Sequence, residues 1–166
     1  ITSRTGSLTA NAGSGGLFVV ESDNLNVGSA SSAGLIHLVT GGLISLNGNI
    51  RGSTVALVTP AGVVQSAGNI VATNLGLVGV GGFTFNNSTN DVGTLAASFG
   101  PGQLSYIDTN NLTVGTVTTP NGNISGIRTG NASNNGGRVT LQAGGTLSVN
   151  QLISSSSGLG GVTFTS

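Results

Sequence analysis

Few side chains in this sequence of 166 residues could take part in acid–base catalysis or bind a metal ion. Both kinds of chemistry need several ionisable groups that converge on one point. The chain contains no cysteine, one histidine and four acids. We therefore predict no catalytic residue, no metal site, no cofactor and no enzymatic activity. The five candidate residues are His37, Glu21, Asp23, Asp91 and Asp108.

Three of these residues, His37 and the pair Glu21 and Asp23, are expected to be ordinary surface residues. His37 lies between Ile36 and Leu38, and in an alternating strand its side chain should point to solvent. Glu21 and Asp23 are two positions apart and would bind a cation only if a neighbouring strand added further oxygen ligands. Because the GGxGxDxxx repeat of calcium-binding β-helices is missing, we expect this pair to form a solvated corner.

The acceptor motif for N-linked sugars, N-x-S/T, occurs several times in the second half of the chain. Chance matches are common in a sequence so rich in Asn, Ser and Thr. Asn87 and Asn131 are the preferred acceptors because both fall in predicted loops. Sugars there would add solubility that the few charged residues do not supply. The motifs begin at Asn86, Asn87, Asn111, Asn123 and Asn131.

Charge is scarce along the whole chain. Charged residues make up 5% of the sequence, against about 25% in typical domains, and the formal net charge is zero. Without a basic patch nothing attracts a phosphate backbone, so we expect no nucleic-acid partner. The sequence has no apolar run that predicts a transmembrane helix, so we expect no membrane insertion. A composition so poor in charge favours a protein that is assembled, anchored or glycosylated.

The elements that position these residues are predicted to be short β-strands. Thirty glycines and only six aromatic residues leave a chain built mainly from Val, Leu, Ile, Ser, Thr and Asn, which suits strands and tight turns. In the segment GLIHLVTGGLISLNGNI (34–50), short alternating apolar runs are separated by glycine or asparagine. Each run is too short to bury a core alone, so it needs copies stacked above and below it.

This pattern recurs along the whole chain. One residue that should point inward marks each copy, and successive markers are 18 to 23 residues apart. A period near 20 with glycine-rich corners predicts an all-β fold, a single-stranded parallel β-helix (β-solenoid). We call each circuit of the solenoid a coil and expect about eight of them. The markers are Phe18, Ile36, Val55, Leu75, Leu95, Val117, Val139 and Val162.

The domain organisation follows from the same repeat. Residues 1–166 are predicted to form one solenoid segment, with loop excursions over 86–90 and 118–137, where Asn, Ser, Gly and Pro interrupt the apolar pattern. Neither end has an evident cap, whereas solenoids usually cover their open sheet edges. We therefore expect this segment to belong to a longer repeat array, or to stack on another copy.

Three blocks of sequence resemble a known family. They are DVGTLAAS (91–98), LSYIDTNNLTVGTV (104–117) and GGRVTLQAGGTLSVNQLI (136–153), and they are similar to the repeat arrays of bacterial surface exoproteins of the filamentous-haemagglutinin type. The resemblance implies a right-handed β-helix, a secreted protein at the bacterial cell surface, and a role in adhesion, aggregation or biofilm. The N-terminal secretion domain of that family is missing, so the chain does not support a particular export route.

We therefore expect a structural, non-enzymatic segment of an extracellular fibre or adhesin. Its expected partners are copies of itself, stacked end to end or laterally, and glycans or proteins on a host or neighbouring cell. One alternative is a passive stalk or passenger β-helix that spaces a distal binding domain from the cell. Another is a carbohydrate-active β-helix enzyme, which would need an acidic cleft that the four scattered acids do not predict.

Overall fold

The computed structural model describes the backbone of residues 2–3 and all atoms of residues 7–130, 136–156 and 160–166. The regular structure of these residues consists of β-strands. The strands are β1 (Thr2–Ser3), β2 (Ser7–Asn11), β3 (Leu17–Glu21), β4 (Leu25–Ser31), β5 (Leu35–Thr40), β6 (Ile44–Leu46), β7 (Ile50–Thr59), β8 (Gly62–Gln65), β9 (Ile70–Gly79), β10 (Gly82–Phe85), β11 (Asp91–Phe99), β12 (Leu104–Asp108), β13 (Leu112–Val114), β14 (Thr116–Thr119), β15 (Gly122–Ser125), β16 (Ile127–Thr129), β17 (Val139–Ala143), β18 (Leu147–Val149), β19 (Ile153–Ser155) and β20 (Val162–Thr165).

Eighteen of these strands form one continuous parallel ladder that winds as a β-solenoid of about eight coils, as predicted. The first face contains β1, β3, β5, the C-terminal halves of β7, β9 and β11, and then β13 with β16 and β18 with β19. The second face contains the start of β2, the start of β4 and then β6, β8, β10, β12, β17 and β20. A shorter third face joins the end of β4 to the N-terminal parts of β7, β9 and β11.

Like residues stack on like residues inside the solenoid. On the first face Ile36 pairs with Val55 and Val55 with Leu75, which confirms the predicted column. These side chains are fully buried, and each contributes about 1.5–3 kcal/mol through the hydrophobic effect. The second face buries the column Leu25, Ile44, Val63, Phe83, Leu104 and Val139.

The first predicted marker is wrong by one position. Leu17, not Phe18, pairs with Ile36 and points inward, while Phe18 is 53% exposed on the outer surface. The run LFVV has four apolar residues in succession, so alternation alone cannot decide which of them face the core.

The last three markers are wrong in register or face. Leu95 pairs with Val114, 19 residues further on, and not with Val117. Val139 and Val162 stack on Leu104 in the second face, so they do not continue the column of Leu95. One circuit, from Leu104 to Val139, is 35 residues long because it contains an inserted hairpin.

The two predicted loop excursions have different structures. Residues 86–89 form a corner without strand, but Asn90 is fully buried and its amide bridges Gln65 and the backbone of Ile70 and Ile107. Within 118–137, strands β14 and β15 form an antiparallel hairpin over 116–125. Residues 131–135 lie outside the described part of the chain.

Glycine is required where coils approach each other at the corners. Gly62 has φ of +92°, and a Cβ atom there would collide with the carbonyl oxygen of Gly82 in the next coil. A larger residue at this corner would have to adopt a strained backbone and also push two coils apart. The high glycine content is in part a consequence of this close stacking.

Candidate functional site

The hairpin β14–β15 is the largest departure from the regular solenoid. It leaves the first face after β13 and returns at β16, and both of these strands pair with β11. Val117 and Ile124 on its inner side form a small second core with Ala96. A Cβ atom added to Gly76 would lie 2.9 Å from the Thr119 methyl group, which shows how closely the hairpin covers this column. The small residues Gly76 and Ala96 therefore create the space in which the hairpin lies.

The outer side of the hairpin is polar. Thr118 Oγ1 donates to Asn123 Oδ1 over 2.8 Å, and the hydroxyls of Thr116 and Ser125 are 3.0 Å apart. Ser125 Oγ also donates to Gln151 Oε1 over 3.0 Å, which ties the hairpin to the last coils. The hairpin thus presents hydroxyl and amide groups to solvent while its apolar side is buried.

A groove of about 900 Å³ runs along the first face beside the hairpin. Its floor is one column of outward-pointing side chains, which stack over five coils. One of its walls is the corner of the solenoid that carries Pro60 and Val80. A second space of about 240 Å³ lies between this column and hairpin strand β15. The floor column consists of Val58, Val78, Ser98, Arg128 and Ser154.

Arg128 lies where the two spaces meet, because its side chain lines both. It is exposed, and its guanidinium has no hydrogen bond or ion pair with the described residues. Ser98 and Ser154 flank it in the neighbouring coils. The sequence did not indicate this groove, because its floor combines residues of five coils that stacking brings together. The hairpin itself could have been predicted, since Asn121–Gly122 within TVTTPNGNIS (116–125) is a recognised hairpin signal.

His37 is not exposed, contrary to the prediction. It occupies the outward position of β5, as the alternation indicates, yet it is only 8% exposed. Its ring contacts Phe18 edge to face at a centroid distance of 6.1 Å, and its buried Nε2 atom has no hydrogen-bond partner among the described residues. Burial lowers the pKa of His37 below its ordinary value. The outer side of the first face is itself apolar here, which alternation could not reveal.

The predicted solvated corner holds for Asp23 but not for Glu21. Glu21 is 2% exposed and stacks against Thr40 of the next coil. Its Oε1 accepts a hydrogen bond from the Ser22 amide over 2.9 Å, while its buried Oε2 has no hydrogen-bond partner within the described part of the chain. Asp23 is exposed. In the part of the chain that the structure describes, His, Cys, Asp and Glu form no group of three or more that could bind a metal ion.

Asp108 and Tyr106 form a buried polar pair on the second face. Tyr106 donates its hydroxyl to Asp108 Oδ2 over 2.9 Å. The same oxygen accepts from the Val92 amide over 2.8 Å, and Oδ1 accepts from the Asn110 amide over 2.9 Å. Burial raises the pKa of both groups, and Asp91 raises them further by charge repulsion. Asp91 is half-buried and has no hydrogen-bonding role in this pair.

The four candidate glycosylation sites have different surroundings. Asn87 is half-buried, and its Nδ2 atom donates to the Gly68 carbonyl oxygen. Asn111 and Asn123 are exposed and use only their Oδ1 atoms, as acceptors for Thr146 N and Thr118 Oγ1. Asn131 lies outside the described residues. An acceptor asparagine needs an accessible Nδ2, so Asn111 and Asn123 have the more suitable geometry of the described sites.

We compared the chain with known protein families, curated proteins and solved structures. No protein-family model, no curated protein and no solved structure matches the chain. The structure therefore establishes the class, a parallel β-solenoid, while membership of the haemagglutinin-type exoproteins remains a proposal. The described residues contain no helix that is long and apolar enough to cross a membrane.

Proposed function

We propose that this chain is a structural, non-enzymatic segment of an extracellular fibre or adhesin at a bacterial cell surface, and that its coils self-associate. The proposal rests chiefly on the coil that contains β18, β19 and β20. In the middle of the solenoid each strand has a parallel partner on both sides, whereas these three strands have partners on one side only among the described residues.

This coil leaves apolar side chains uncovered. Phe164 pairs with Leu141, which is fully buried, yet Phe164 itself is 49% exposed. Val162 and Val149 belong to the same layer and are 43% and 47% exposed. An open parallel edge with an apolar layer favours the addition of another strand layer. The occupant we propose is a further coil of the same kind, supplied by a longer repeat array or by a second copy stacked end to end.

The composition supports the same proposal. With a net charge of zero and 5% charged residues, little electrostatic repulsion opposes the approach of two copies. The resemblance of three sequence blocks to filamentous-haemagglutinin-type repeats adds the extracellular setting and the role in attachment. Lateral contacts and surface glycans or proteins of another cell are further partners of such a fibre.

Electron microscopy and analytical ultracentrifugation of the 166-residue chain test the proposal. We expect filaments or end-to-end oligomers that Phe164→Asp abolishes, because a carboxylate in a buried apolar layer is strongly unfavourable. Ser45→Asp is the matched control, since Ser45 is half-buried on an outward position in the middle of the rod. Its oligomers should be unchanged.

Two other outcomes would contradict the proposal. Isolated rods at all concentrations would favour the passive stalk. Cleavage of a polysaccharide by the purified chain would favour the carbohydrate-active enzyme.

A further inference from the structure

We propose that the groove beside the hairpin binds an extended carbohydrate chain that carries carboxylate groups, with Arg128 as the carboxylate-binding residue. This site differs from the proposed self-association surface, because the groove lies on the outer side of the first face. Only its last floor residue, Ser154 of β19, lies in a strand that has a partner on one side only among the described residues.

The shape of the groove suits a linear polymer. Its floor column runs from Val58 to Ser154 in five successive coils, which corresponds to about 19 Å at the spacing of parallel strands. The volume of about 900 Å³ falls in the range of ligand-binding clefts. The corner with Pro60 and Val80 forms one wall, and the smaller space of about 240 Å³ lies between the floor column and the hairpin.

The charge of the groove selects an anion. Arg128 is the charged residue on the floor column, and none of the four acids of the chain lines either space. Among the described residues its guanidinium has no partner, so its donors are available for a bidentate carboxylate. The groove is lined by the apolar side chains of Val58, Val78 and Val80 as well as by serine and threonine.

The remaining lining favours a sugar chain over an acidic peptide. The floor strands β7, β9, β11 and β16 already have parallel partners on both sides, so among the described floor strands only β19, at the end of the groove, has a free backbone edge that could pair with a peptide. The floor offers instead the hydroxyls of Ser98 and Ser154 beside Arg128, and the apolar surfaces of Val58 and Val78. Hydroxyl groups of a sugar can bond the serines, while its C–H face can pack on the valines.

Isothermal titration calorimetry with oligogalacturonate tests this proposal, with the methyl-esterified oligomer as a matched neutral probe. We expect the acidic oligomer to bind and Arg128→Ala to weaken it about tenfold or more, as loss of a charge-assisted hydrogen bond would. Ser98→Tyr should also abolish binding, because the ring would fill the groove without changing its charge. Arg51→Ala is the control: Arg51 is exposed at the start of β7, outside the groove, and its loss should have no effect.

Several results would overturn the proposal. One is the absence of binding to the acidic oligomer, and another is equal binding of the esterified oligomer. A similar loss for Arg128→Ala and Arg51→Ala would indicate non-specific ionic attraction. Binding of poly-glutamate at the same site with similar affinity would identify an acidic peptide as the occupant. Circular dichroism of each variant verifies the fold, and filament formation by Arg128→Ala is expected to be normal, so the two proposals fail independently.

Discussion

The carboxylate of Asp108 accepts a hydrogen bond that a neighbouring strand would otherwise accept. The third face ends at β11, because the next circuit passes from β12 to β13 through residues 109–111 without an intervening strand. The Val92 amide is therefore left without a strand above it, and Asp108 Oδ2 takes that bond. Tyr106 and the Asn110 amide complete its surroundings. The buried carboxylate of Asp108 thus accepts the backbone hydrogen bond that is left over where the third face ends.

The pH dependence of stability should reveal this group. Burial raises the pKa of Asp108 above 3.8, so the folded state holds the proton more tightly than the unfolded chain. The stabilisation from this group is complete below about pH 3.8 and is lost as the pH rises through the raised pKa. Asp108→Asn should remove this slope from the unfolding free energy, measured by urea denaturation between pH 3 and about 7. Asp23→Asn, at an exposed position, should retain the slope.

Core positions should tolerate charge far less than their immediate neighbours do. Leu46 is buried on the second face, and Leu46→Asp would leave an unpaired carboxylate there at a cost of several kcal/mol. Leu141→Asp should have the same effect for the same reason. The half-buried neighbours Ser45 and Thr140 point outward, so Asp at either position should leave the rod folded. Thermal denaturation followed by circular dichroism measures the difference; equal losses at both kinds of position would contradict the observed register.

At the level of elements, the position of the hairpin depends on the small side chains of the column on which it packs. Ala96 and Gly76 lie in one outward column, and the apolar side of the hairpin packs on them. Elsewhere on the same column the larger Phe18 and His37 fill the outer surface. The hairpin is therefore positioned by side-chain size on the face, in addition to its own strand pairing.

Gly76→Val should displace the hairpin without unfolding the solenoid. A Cβ atom at Gly76 would approach Thr119 to 2.9 Å and Ile124 to 3.2 Å, and overpacking of this kind costs about 1–3 kcal/mol. We expect faster hydrogen exchange in peptides that cover 116–125, with unchanged exchange in β5 and β7. Gly82→Val is the matched control, because the nearest atom to a Cβ there is 3.6 Å away. Equal exchange in the two variants would show that the hairpin is not packed on this column.

At the scale of the whole molecule, the solenoid is close to one-dimensional. Each coil contacts the coils before and after it, so stability is approximately a sum over neighbouring pairs. Interior coils are covered on both sides, whereas the coil with Phe164 is covered on one side only among the described residues. The filament experiment with Phe164→Asp tests this end of the solenoid, because it measures whether coils of separate copies can stack there.

The sequence by itself determined the fold class, the approximate number of coils and the column Ile36, Val55 and Leu75, because in this middle region the alternation is clear and the corners are marked by glycine or asparagine. It did not determine the phase of the run LFVV or the register after Leu95. There several apolar residues follow one another, or a hairpin interrupts the period, and pairing with the neighbouring coil decides.

Only the tertiary structure decided the burial of His37 and Glu21, the Tyr106–Asp108 pair and the groove around Arg128. Each of these depends on contacts with residues 16 or more positions away that stacking brings together, and no local pattern encodes such a neighbour. The alternation of apolar and polar residues along a strand indicates which side chains point outward. Whether the outer side is solvent, a hairpin or another apolar residue depends on what the rest of the chain places there.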